Sequence, residues 1–107
     1  MMVPQLQRQI MALARKKGWG VSPSDIIFAE KIALIHQEVS EVLEAYRKNN
    51  MHGRDGVAEE LADVLARIIH LAGIYQIDLE KAFAKKMKRN RGRDWNRDQL
   101  YIDKRKR

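Results

Sequence analysis

Four carboxylates fall into two pairs of equal spacing: Glu38 with Glu41, and Glu60 with Asp63. On a helix, an i, i+3 pair lies about 60° apart around the axis and one turn apart along it. Both pairs occur in segments with helical patterning. Wound at about 100° per residue, residues 24–47 gather Ile27, Leu34, Ile35, Val39, Val42 and Tyr46 into an apolar arc. Glu38 and Glu41 fall at its margin, while Gln37, Ser40, Glu44 and Arg47 form the outer face. In the next segment Val57, Val64, Leu71 and Ile74 mark the inward face, with Glu60 and Asp63 beside it. Four acids held against a core repel one another and lose hydration, so they call for protons or a cation. Oxygen donors in a chain without cysteine suit a hard divalent ion, Mg²⁺, with Mn²⁺ as the alternative.

The elements that must position these acids are helical. The chain has two prolines and no run of alternating β-branched residues. Val3, Leu6, Ile10 and Leu13 suit a first amphipathic helix that stops at Lys16-Lys17-Gly18. Ser22-Pro23-Ser24-Asp25 has the spacing of a capping box with proline at the first helical position, which predicts that the second helix opens there and runs to about Lys48. A loop at 49–53 separates it from a third helix over 55–75, with Gly73 as a weak point. Asp78 can cap a fourth helix, whose stripe is Leu79, Ala82, Phe83 and Met87. The expected fold is all-α: a four-helix-type bundle in which residues 1–93 form one domain and 94–107 a basic C-terminal segment. The second helix is long for the core one chain can supply, so oligomerisation is expected to complete the bundle.

Read in order, Glu38-x-x-Glu41 and Glu60-x-x-Asp63 resemble the signature of the MazG-like all-α nucleoside triphosphate pyrophosphohydrolases. Residues 35–47 resemble that family's first motif and residues 59–65 its second. Lys86, Asn90 and Arg93 resemble its phosphate-side cluster. The stretch departs from the family text at Arg89, where many relatives carry an aromatic, and at Asp94-Trp95, a difference that bears on nucleotide choice. The resemblance implies hydrolysis of a nucleoside triphosphate, with a deoxynucleoside as the expected form, to monophosphate and pyrophosphate. Glu38, Glu41, Glu60 and Asp63 would hold Mg²⁺ and carry catalysis, and Lys86, Asn90 and Arg93 would meet the substrate. It also implies a homodimer or homotetramer and a role in nucleotide-pool house-cleaning. Trp19, Phe28 and Trp95 could each stack a base, and Trp19 lies in a connector, where exposure is expected. Phe28 suits packing, and His36, His52 and His70 have no ligand spacing.

The formal charge of +7 comes from the C-terminal quarter. Residues 85–107 hold 11 basic and 3 acidic residues, whereas the remaining 84 hold 10 and 11. This motivates a second reading, a small helical nucleic-acid-binding protein with Trp95 and Tyr101 among the cations. It ranks behind the hydrolase because it leaves the inward acids unexplained. A third reading, an interaction bundle with buried ion pairs, has only Lys31 and Arg67 as inward cations. No apolar run approaches the ~20 residues of a membrane span. The start has neither signal-peptide nor transit-peptide character, and a cytoplasmic protein without membrane partners is expected.

Overall fold

Three helix ends set the geometry of the chain. Trp19 N donates to Ala14 O, Asn50 N to Ala45 O, and Ile77 N to Ala72 O, at 2.8–3.0 Å. In each case the residue just before the donor is left-handed: Gly18, Asn49 and Gln76. This is the Schellman closure, which satisfies the last carbonyls of a helix and turns the chain sharply. The structure, a computed structural model, describes residues 2–92. Within them lie α1 (Met2–Lys17), a single 3₁₀ turn (Pro23–Asp25), α2 (Phe28–Arg47), α3 (Val57–Ile74) and α4 (Leu79–Arg91). No strand occurs among the described residues, as the periodicity predicts. Arg93 and the basic segment 94–107 lie outside them.

The second helix begins later than the capping-box spacing predicts. Asp25 Oδ2 accepts from the backbone N–H groups of Val21 and Ser22 at 3.0 and 3.1 Å. These bonds hold the Asp25 carboxyl below its ordinary pKa, the Val21 bond most of all. The box therefore closes a turn of its own. Ile26 and Ile27 follow in extended conformation, which β-branched residues favour, and α2 starts at Phe28.

Helix α3 is the centre of the fold, packed against α2 on one side and α1 on another. α4 has α1 as its main neighbour. The buried apolar core is small: Ala14, Ala45, Ile69, Ala72 and Ile74. Expectations about faces need correction on three helices. On α1, Ala14 is the buried residue, while Leu13 is exposed. On α2, the apolar arc is divided: Leu34, Ile35 and Val42 are half-buried, whereas Val39 and Tyr46 are 51% and 64% exposed, with Leu43 beside them at 50%. Leu34 shares the inner side with Glu38, Glu41 and Ala45. On α3, Ile74 is buried as expected, but Val57, Val64 and Leu71 are only half-buried, and Leu61 and Leu65 stand open. The physical reason is one of assignment. α2 and α3 meet along a polar seam flanked by small residues, and their large apolar residues line two open grooves.

The loop between α2 and α3 fixes which residues meet across that seam. Asn50 Oδ1 accepts from Gly53 N, its Nδ2 donates to Arg54 O, and its backbone O accepts from Val57 N. Gly56 fits against this knot because it lacks a Cβ, which would lie 2.6 Å from Asn50 Oδ1. Gly73, read as a weak point, is where α1 crosses α3, with Met11 against its Cα.

Candidate active site

On α3, Glu60, Asp63, Arg67 and His70 follow one another at spacings of three, four and three, so they occupy one side of the helix. Lys31, Leu34, Glu38 and Glu41 do the same on α2. The seam brings carboxylate oxygens of Glu38, Glu60 and Asp63 within 4.8 Å of one another. Glu60 is 8% exposed and Glu38 keeps 12% of its side-chain exposure, whereas Asp63 opens to solvent.

Glu60 is the acid most affected by this crowding. Its pKa is pushed up to about 7, first by burial, then by a hydrogen bond with Asp63 and by the charges of Glu41, Asp63 and Glu38. Glu41 is therefore electrically part of the cluster, although its oxygens are not within the close trio. It accepts a long hydrogen bond, 3.4 Å, from Gln37 Nε2. Among the described residues one cation pairs with these acids: Arg67 Nε donates to Glu38 Oε2 at 2.7 Å. A single arginine among four acids leaves net negative charge in a partly dry place. The donor set, all carboxylate oxygen, fits a hard divalent cation. Glu59, which could have joined the site, instead accepts from Asp55 N at 2.7 Å and secures the start of α3.

Beside the acids opens a cavity of about 400 Å³ lined by Ile10, Trp19, Leu34, Ala66 and His70, with Lys31 and Arg67 as its cations. Glu38 and Asp63 form its edge. The Trp19 connector is tied down at two backbone carbonyls. Buried His70 donates from Nε2 to Gly20 O at 2.9 Å, and Lys31 donates from Nζ to Trp19 O at 3.3 Å. The Trp19 and His70 rings lie 6.2 Å apart and tilted. Gly20 is left-handed at φ +100°, and a Cβ there would meet Ile26 at 2.7 Å. The chain can therefore make this strap over the cavity only with glycine.

The phosphate-side candidates divide differently. Lys86 is exposed and Asn90 half-buried on α4, and neither lines the cavity beside the acids. Arg93 falls outside the described residues. Phe28 packs edge-on against Tyr75 at 5.6 Å, in keeping with the packing role expected of it. His70 was legible only as a histidine without ligand spacing. Its alignment with Glu60, Asp63 and Arg67 was the signal that could have placed it at the site.

No described helix is long and apolar enough to cross a membrane. No curated protein and no solved structure matches the chain. A model of the MazG nucleotide pyrophosphohydrolase domain matches residues 28–97, which span the four acids, Lys31, Arg67, His70 and all of α4. By that match, which covers well over half of it, the chain belongs to the MazG nucleotide pyrophosphohydrolase domain family.

Proposed function

We propose that this protein hydrolyses a nucleoside triphosphate, in its deoxy form by preference, to the monophosphate and pyrophosphate, with Mg²⁺ as cofactor and Mn²⁺ as the alternative. The observation that carries this reading is the convergence of Glu38, Glu60 and Asp63 within 4.8 Å at the edge of a cavity. Its volume, about 400 Å³, is of small-ligand size. The deoxynucleoside preference and the house-cleaning role rest on the family resemblance, and the cytoplasmic setting on a composition without cysteine.

In this reading Glu38, Glu60 and Asp63 hold the cation, with Glu41 completing the acidic field. A bound Mg²⁺ supplies the positive charge that offsets the triphosphate's repulsion of an attacking oxygen. The chain's own residues do the rest. Glu60 keeps a proton up to about pH 7 while the acids are unneutralised, and releases it when a cation is taken up. A carboxylate of the set with a free oxygen accepts the proton of the attacking water. Arg67 restrains Glu38 and so fixes one wall of the acidic site. The Trp19 indole offers a stacking face for the base, held by the His70 and Lys31 bonds to its connector. Lys86, Asn90 and Arg93 serve the phosphates, Lys86 as a point charge and Arg93 as a planar fork.

The same reading includes a homodimer or homotetramer. Val39, Leu43 and Tyr46 of α2 and Val57, Leu61 and Val64 of α3 line an almost wholly apolar groove open to solvent. Phe28, Ile68 and Tyr75 continue the open apolar surface beside a second groove. Surface of this kind on so small a core is of the sort that a second copy covers.

A panel of ribo- and deoxynucleoside triphosphates with Mg²⁺, products resolved by ion exchange, tests the reaction. Monophosphate with pyrophosphate is expected. Diphosphate with phosphate, or no turnover across the panel, would sink it.

A further inference from the structure

Helix α4 carries its charge on one side. At about 100° per residue, Lys81, Lys85, Lys88 and Arg89 share one face, opposite Leu79, Phe83, Met87 and Asn90. All four cations are exposed, and none is in an ion pair among the described residues. Lys86 lies off this stripe, near the Phe83–Asn90 side.

Helix stability does not account for the stripe. Lys88 and Arg89 stand in the last turn, where cations complement the helix dipole. Lys81 stands in the first turn, where the dipole disfavours a cation. Lys81–Lys85 and Lys85–Arg89 are i, i+4 like-charge pairs, and Lys85–Lys88 is an i, i+3 pair, so each repels along the surface. The helix that bears this repulsion has only α1 as its main support. A polyanion along the stripe would remove the repulsion. The carboxylates lie in the α2–α3 seam, so a polyanion on this face of α4 need not confront them.

We propose that the Lys81–Lys85–Lys88–Arg89 face of α4 docks the phosphate backbone of a nucleic acid, apart from the nucleotide cavity. From residue 81 to 89 the stripe runs about 12 Å at 1.5 Å per residue, matching several phosphates of one strand. A lipid surface fits less well. An interfacial helix must insert its apolar side. Here Leu79 lines the groove with Phe28, Ile68 and Tyr75, and both Leu79 and Met87 are half-buried in the fold, which leaves Phe83 as the one large apolar residue exposed on that side of α4.

The test uses the full chain and a fluorescein-labelled single-stranded 20-mer, with anisotropy read from 50 to 200 mM salt. The variant is Lys81→Gln/Lys85→Gln/Lys88→Gln. Its control is Arg15→Gln/Lys16→Gln/Lys17→Gln, which removes equal charge from the end of α1. Three lost phosphate contacts should flatten the slope of log K against log salt by about 2 for a single strand. Affinity at 50 mM salt should fall at least tenfold, with nucleotide hydrolysis within twofold of wild type. The α1 control should change binding far less. Equal weakening by both variants would reduce the effect to net charge and overturn the proposal. So would a wild-type salt slope shallower than about 1, or full binding by the α4 variant with loss on removing residues 104–107. Binding to phosphatidylserine vesicles without binding to the 20-mer would also overturn it. If the triple variant misfolds, Lys85→Gln alone replaces it, with an expected flattening of the slope by about 0.7, and an unchanged slope would overturn the proposal.

Discussion

Replacing Arg67 with methionine tests whether the acids form one charged unit. The side chain keeps its length and loses the cation that pairs with Glu38, while Lys31 of the same cavity stays bonded to Trp19 O. In the structure Arg67 Nε lies 2.7 Å from Glu38 Oε2, with side-chain exposures of 39% and 12%. An exposed pair contributes about 0.2–1 kcal/mol, whereas breaking a buried one costs about 3–5 kcal/mol. With one partner nearly covered and the other partly open, the loss in metal-free protein should be about 1–2 kcal/mol. For a domain of this size that lowers Tm by roughly 5–15 °C. The sign should then change its meaning with Mg²⁺. Without Arg67 the acids lack an internal counter-charge, so the Mg²⁺-induced rise in Tm should be larger in the variant than in wild type. Thermal melts in chelator and in Mg²⁺, at one protein concentration, measure both. An unchanged metal-free Tm, or an equal Mg²⁺ increment in the two proteins, would show that Arg67 and the acids do not act together.

Other outcomes follow from the same geometry. Glu60 titrates near 7 when folded against an ordinary 4.5, so the folded chain keeps a proton that the unfolded chain gives up. The resulting stabilisation is full below 4.5 and is lost as pH rises through about 7. Metal-free Glu60→Gln should lack that decline, and parallel wild-type and variant denaturation curves across this window would refute it. Trp19→Ala should raise KM roughly 5- to 100-fold, as expected for one lost stacking contact of about 1–3 kcal/mol, and an unchanged KM in saturation kinetics would remove Trp19 from the base site. Sedimentation at low micromolar concentration should show at least a dimer, and Leu43→Glu with Leu61→Glu should dissociate it. A stable, folded wild-type monomer would contradict the reading of the open groove.

The existence and order of the helices were legible because the 3.6-residue period is sustained and the stops are chemically plain, as at Lys17-Gly18. The acids were legible through spacing alone. Which side of α2 faces α3 was not. The arc that holds Leu34, Val39 and Tyr46 is the more apolar side, and hydrophobicity alone turns all of it inward. The chain instead places Glu38 and Ala45 on the seam side beside Leu34 and leaves Val39 and Tyr46 exposed. Polar seams defeat a rule that equates apolar with inside. The start of α2 was misplaced for a local reason: Ser22-Pro23-Ser24-Asp25 has the chemistry of a helix start but closes an independent turn. The His70–Gly20 and Lys31–Trp19 bonds join residues 50 and 12 positions apart. Neither could be read before the helices were packed. Lys86 and Asn90 keep their shared side of α4, but their relation to the acids depends on how α4 stands against its neighbours.

Phosphorus NMR of a nucleoside triphosphate incubated with Mg²⁺ and either wild type or Asp63→Asn bears most directly on the central claim. Asp63 is the open member of the trio, and its amide keeps shape while removing one anionic ligand. Wild type should produce monophosphate and pyrophosphate signals in equal amounts, and the variant neither, with its circular dichroism and metal-free Tm held or raised by relieved repulsion. Diphosphate and phosphate from wild type, or undiminished pyrophosphate release by folded Asp63→Asn, would contradict it.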